Sequence, residues 1–198
     1  MAETSLDPDA LMRRIRARHP GLREAIAADA RITARHRFER HEFHGPVDTL
    51  IQVLRLMWVS DAFLAHALYR LKAALQRRGV PLLPRIAHKL AMLTAQVSIG
   101  DPVLMEPGVY IVHGQVVIDG IVEVRRGAII SPWVTIGLRA GDWAGPTIGP
   151  GVSIGTGAKV LGNVNVGAGA RVGANAVVIE DVPDETTVVG IPARPVGG

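Results

Sequence analysis

The sequence predicts an α+β chain: a helical N-terminal half over residues 1–96, then a parallel β-helix of hexapeptide repeats over 97–198. Three observations carry this. From Ile99 an aliphatic residue recurs every six positions for about a dozen repeats, the periodic signature of a parallel β-helix. Glycine supplies 22 of 198 residues while aromatics make up only 4%, which suits thin repetitive β-structure better than a bulky core. Before residue 96 the apolar spacing is helical.

Taken in order, Asp7 can cap a first helix with Pro8 at its first position, ending at His19-Pro20-Gly21. A second helix is expected from Leu22 to about Arg37 and a third from near Pro46. Along the third, Leu64, Ala67, Leu68, Leu71 and Leu75 form an apolar stripe, with Arg70, Lys72, Arg77 and Arg78 on other, solvated faces. Gly79, Pro81 and Pro84 punctuate it, and a short helix with Ile86, Leu90 and Leu93 follows.

The sixes then read IGDPVL, MEPGVY, IVHGQV and VIDGIV; with Glu123 as an extra residue they continue VRRGAI, ISPWVT, IG. After a break they resume IGPGVS, IGTGAK, VLGNVN, VGAGAR, VGANAV, VIEDVP. The inward positions are expected to be Ile99, Met105, Ile111, Val117, Val124, Ile130, Ile136, Ile148, Ile154, Val160, Val166, Val172 and Val178. β-branched side chains stack well in a narrow interior, and no single coil buries its own faces, so several must stack. Residues 138–147, LRAGDWAGPT, break the period but return in phase, which reads as a loop extruded from one coil. Such loops on rigid scaffolds often carry function.

Bulk properties narrow the function classes. The formal charge is +4 and the pI about 10.1, but the basic excess lies before residue 90 and no basic run interleaves with aromatics, so no nucleic-acid partner is expected. Cysteine is absent, which removes disulfides, thiolate metal sites and Cys nucleophiles. The first residues lack a secretory h-region, and Val47 to Leu75 is interrupted by Arg55, Asp61, His66 and Arg70, so no membrane span and a cytoplasmic location are expected. His36, His41 and His44 form a cluster in a basic segment that reads as solvated rather than as a metal site.

Residues 97–196 resemble serine acetyltransferases and the wider hexapeptide acyltransferases. The resemblance rests on IVHG at 111–114, WVTIG at 133–137, the loop through Pro146, IGTGAKVLGNVNVGAGARVGANAVV at 154–178 and VVGIPAR at 188–194. YRLKAALQRRGVPLLPR at 69–85 extends it, more weakly, into the helical half. The resemblance implies a left-handed β-helix with three sixes per coil, a homotrimer with active sites between subunits, trimers able to pair through the helical half, and acetyl-CoA as acyl donor with no metal. It matches His113 to the family's general base. Imidazole suits that task, because its ordinary pKa of ~6.5 lies near neutral. Thr135, Gly137, Thr156, Lys159, Arg171, Ala174 and Arg194 match the CoA groove.

Three departures separate donor from acceptor. The family's Val-Asp-Ile-His-Pro stretch reads Val97-Ser98-Ile99-Gly100-Asp101, so the acid that orients the imidazole is Ser98. The Asp before the base is Val112, and a second active-site His is Gly145 before Pro146. A backbone carbonyl, Asp101 or Glu106 is the expected replacement orienter. The expected function is acetyl-CoA-dependent O-acetylation of a small acceptor — a sugar, an amino-acid derivative or a natural-product intermediate — with Tyr110, Trp133, Trp143 and Gly145 at its pocket. The alternatives are a serine O-acetyltransferase of cysteine biosynthesis and, outside enzymes, a β-helix used for assembly. A zinc hydratase needs three converging histidines, and His113 is the only one after residue 88.

Overall fold

The computed structural model describes residues 8–142 and 144–196; Asp7 and Trp143, named above, lie outside them. Five helices come first: α1 (Pro8–Arg18), α2 (Leu22–His36), α3 (Gly45–Val59), α4 (Asp61–Arg77) and α5 (Leu83–Ala95). The expected single helix from Pro46 is two, because Ser60 takes extended backbone and its Oγ accepts the Phe63 N–H at 3.3 Å, capping α4. Among the described residues no helix is long and apolar enough to cross a membrane.

Among the described residues fifteen short strands follow, from β1 (Ser98–Ile99) to β15 (Arg194–Pro195). The parallel pairs join strands three positions apart, except that β12 (Arg171–Val172) pairs with β14 (Thr187–Val189), two positions on, and β15 turns back antiparallel on β14. Face A stacks β1, β4 (Val117–Ile118), β7 (Thr135–Gly137), β10 (Lys159–Leu161) and β13 (Val177–Val178); face B stacks β2 (Leu104–Met105), β5 (Ile121–Val124), β8 (Ala144–Ile148) and β11 (Asn165–Val166); face C stacks β3 (Tyr110–Ile111), β6 (Ile129–Ile130), β9 (Ser153–Ile154), β12 and β14. The chain is thus a left-handed β-helix of triangular coils.

The inward register is as expected with one correction. Ile118 is fully buried and pairs with Ile136, whereas Val117 is 42% exposed. The extra residue therefore sits between Ile111 and Ile118, in the turn holding His113, and not at Glu123, which pairs in register with Leu104. That turn needs the residue because it reaches the end of α5: Gln115, at φ 61°, donates its N–H to the Ala95 carbonyl at 2.8 Å. Gly114 lies so close to α5 that a Cβ there would fall 1.9 Å from the Ala95 oxygen.

A second correction concerns the basic residues of α4. Arg70 and Lys72 are each 3% exposed and Leu71 is the exposed residue. They cap the open end of the β-helix, whose first coil would otherwise leave carbonyls unpaired. Tyr69 Oη donates to the Val103 carbonyl (2.9 Å), Arg70 to those of Met105 (2.6 Å) and Glu106 (2.8 Å), and Lys72 to that of Ile99 (2.6 Å). Asp29, 1% exposed, receives Arg70 Nε at 2.8 Å and the N–H groups of Gly108 and Val109. The main core is continuous across this junction, from Ala62, Ala65, Tyr69, Ala91 and Ala95 into the β-helix stack. Val53, Leu56 and Phe63 form a smaller cluster with Ala30 and Ala34 of α2.

Candidate active site

The three prism edges sort the candidate residues. On the edge between faces C and A stand, coil by coil, the turns holding His113, Trp133, Thr156 and Ala174. These turns share a left-handed residue: Gln115 (φ 61°), Trp133 (φ 58°), Gly157 (φ 75°) and Asn175 (φ 56°). Positive φ is costly for a bulky residue such as tryptophan, and here the repeat of the turn imposes it. Trp133 is 55% exposed on this edge. With strands ~4.8 Å apart, the row from His113 to Ala174 spans about 14 Å.

The neighbouring faces hold the remaining matches. Thr135 and Lys159 are register partners on face A, and Gly137 is the last residue of β7 (Thr135–Gly137). Lys159 Nζ donates to the Trp133 carbonyl at 2.7 Å, tying face A to the edge turn. Arg171 lies exposed on face C in register with Ser153, with no partner among the described residues. Arg194 follows β14 and pairs with Glu180 at 3.0 Å. Tyr110 is nearly buried on β3 (Tyr110–Ile111), where it stacks on His36 of α2 at 4.9 Å; burial raises its hydroxyl pKa.

Of the expected loop 138–147, residues 144–147 pair on face B as part of β8; residues 138–142 leave from the edge between faces A and B, so within one chain they stand on a different edge from His113. They pack on their own edge: Arg139 Nε is 3.5 Å from Asp142 Oδ2, and Leu138 covers Gly120. Gly145, the second residue of β8 (Ala144–Ile148), is buried against β5 (Ile121–Val124), where a Cβ would lie 2.8 Å from Val122 Cγ2 and 3.1 Å from the Ile121 oxygen. Glycine at this position is thus a packing requirement in the present backbone.

His113 is exposed and faces the helical half across a cavity of about 420 Å³. Gly114 and Gln115 line it beside the imidazole; Leu93 to Gln96 come from the end of α5, Val59 to Ala62 from the α3–α4 junction, and Arg37 from the end of α2. Among the described residues nothing hydrogen-bonds the imidazole. The two acids expected as orienters are committed elsewhere: Asp101 to Lys72 at 2.9 Å, and Glu106 to Arg125 at 2.9 Å and the Arg126 N–H. The helical contributors Arg37, Asp61 and Gln96 carry no motif and sequence reasoning missed them; only the fold brings them to His113. No group of three or more His, Asp or Glu able to hold a metal occurs among the described residues.

The comparisons agree with this architecture. The family model for bacterial transferase hexapeptide (six repeats) matches residues 145–180. The soybean serine acetyltransferase apoenzyme is 33% identical, with 91% of this chain and 71% of that one covered and a TM-score of 0.61. The chain belongs to the serine acetyltransferase family. The Brucella abortus strain S19 serine acetyltransferase is 26% identical over 96% of this chain and 83% of that one, with a TM-score of 0.73. A serine acetyltransferase solved in complex with CoA is 26% identical over 94% and 74%, also at 0.73. A search of curated protein sequences finds no match. Membership makes the chain an acyltransferase of the hexapeptide-repeat class.

Proposed function

We propose that the chain is an acetyl-CoA-dependent O-acetyltransferase acting on a small hydroxylated acceptor, with His113 as general base. One observation carries the reading: His113 heads the edge holding Trp133, Thr156 and Ala174 and faces the cavity beside it. The imidazole takes the proton of the acceptor hydroxyl as that oxygen attacks the thioester carbonyl; the tetrahedral intermediate collapses, the C–S bond breaks, and the imidazolium returns the proton to the CoA sulfur. Backbone N–H groups serve the oxyanion. The donor runs along the edge, with Thr135, Gly137, Thr156 and Ala174 at its acyl and pantetheine part and Lys159, Arg171 and Arg194 at its phosphates. A relative solved with CoA supports that donor.

The working unit in this reading is a cytoplasmic homotrimer. Its support is topological: His113 and the loop leading to Gly145 stand on different edges of one prism, so one subunit's loop meets another's His113 only across a seam. Pairing of trimers through the helices fits the apolar stripe of α3, where Leu50, Ile51 and Leu54 are more than half exposed and Trp58 is 89% exposed. The relatives' names make L-serine a second acceptor to test. His113→Ala is expected to reduce acetyl transfer by about 10²–10⁴-fold while CoA still binds; full transfer by this variant refutes the mechanism.

A further inference from the structure

The cavity beside His113 has a charged wall that belongs to the helices. Arg37 follows the last residue of α2, and its Nε donates to Glu39 Oε1 at 2.9 Å. Glu39 is itself held by Arg55 through its other oxygen. The guanidinium is therefore fixed in orientation, while its two terminal nitrogens have no partner among the described residues. Asp61 is the first residue of α4, and its carboxylate makes no hydrogen bond or ion pair among the described residues. Both line the same cavity as His113, together with Gln96 and Gln115.

We infer that Arg37 and Asp61 select the acceptor, and that the acceptor is a hydroxylated acid of monosaccharide size: its anionic group lies on Arg37, and neighbouring hydroxyls lie on Asp61. The inference rests on the reading of His113 as the base. A fixed guanidinium presents a fork that matches a carboxylate or a phosphate with two hydrogen bonds. A free carboxylate accepts from two O–H groups at once, which suits a vicinal diol. The cavity, about 420 Å³, lies within the range of small-molecule clefts and is wide enough to admit a sugar ring with one charged substituent beside His113.

The test measures acetyl transfer by the full chain from acetyl-CoA to galacturonate, glucose 6-phosphate, glucose and L-serine. At least one anionic sugar is expected to show a kcat/KM about tenfold or more above glucose and L-serine, and the galacturonate and phosphate arms tell which anion is read. Arg37→Gln should raise KM for that sugar about 10–100-fold with a much smaller change in kcat. Arg37→Lys, which keeps a point charge, should recover part of the loss. Asp61→Asn should raise KM for charged and neutral sugars alike. The inference is overturned if L-serine or glucose is preferred, if no sugar is acetylated, or if Arg37→Gln leaves the KM of the anionic sugar unchanged. His113→Ala separates the two claims: retained transfer defeats the base, whereas abolished transfer with an unmoved Arg37→Gln KM defeats only the acceptor assignment.

Discussion

Replacing Asp29 with Ala should unfasten the helices from the end of the β-helix. Asp29 is buried and receives Arg70 through Nε (2.8 Å) and Nη2 (3.2 Å) and the Gly108 and Val109 N–H groups at 2.8 and 3.2 Å. Without it the Arg70 guanidinium, 3% exposed, keeps its carbonyl acceptors but loses its counter-charge. Stranding one partner of a buried ion pair costs about 3–5 kcal/mol. Each N–H left without an acceptor adds about 1–3 kcal/mol, less where water can reach it. A total near 5 kcal/mol is a large share of the ~5–15 kcal/mol of a folded domain. For a chain of this size it lowers Tm by roughly 10–20 °C. The measurement is thermal and urea unfolding followed at helical wavelengths, for Asp29→Ala, Arg70→Met and the double variant. The double variant should be less destabilised than the two singles added together by at least about 2 kcal/mol, since it strands neither partner. A loss below about 1.5 kcal/mol for Asp29→Ala, or additive losses in the cycle, refutes the cap.

Acid should weaken the same region. Burial, reinforced by Arg70, Lys72 and Arg77, pulls His19 down to about 4, and burial pulls His66 to about 4 although Asp29 lies 3.4 Å away. Both are neutral in the folded chain at pH 7 and titrate near 6.5 when unfolded, so stability is complete above about pH 6.5 and falls as pH drops toward 4, by roughly 3 kcal/mol per histidine; Tm against pH should slope in that window and flatten when both are replaced by apolar residues. Gly145→His should destabilise by about 1–3 kcal/mol and give no gain in transfer, because its Cβ meets Val122 and Ile121; a stable, faster variant contradicts this. Gly114→Ala drives a methyl into the Ala95 carbonyl and should break the bond from Gln115 N–H, lowering transfer more than His113-independent CoA binding; unchanged kcat contradicts it. Ile118→Ala should cost about 2–5 kcal/mol and Val117→Ala under 1, which checks the corrected register by unfolding.

The β-helix was legible because its signal is local and repeated. One side chain in six must fit a narrow interior, and every coil repeats that constraint, so Ile130, Ile136 and Ile154 name their own orientation. The repeat also exposed a break after Gly137, but set its end too late: residues 144–147 already pair in the stack, and their sequence, without an aliphatic at the expected place, hid that. Where the period slips by one residue the pattern was ambiguous: Val117 and Ile118 are both aliphatic, and only contact of the turn with Ala95 decides which points inward. In the helices the sequence misplaced Arg70 and Lys72. A cation on a helix face is ordinarily solvated, and the carbonyls that recruit these two come from residues 99–106, about 27–36 positions downstream. The same limit hid the cavity wall. His113 stood out through its motif, whereas Arg37 and Asp61 meet it only because the helices dock on the first coil. Periodicity and motif by themselves determined the scaffold, the edge of stacked turns and the candidate base. Which charges are buried, which residue takes the extra place in the His113 turn and which side chains face the base were decided by docking between distant segments, an energy that no local pattern records.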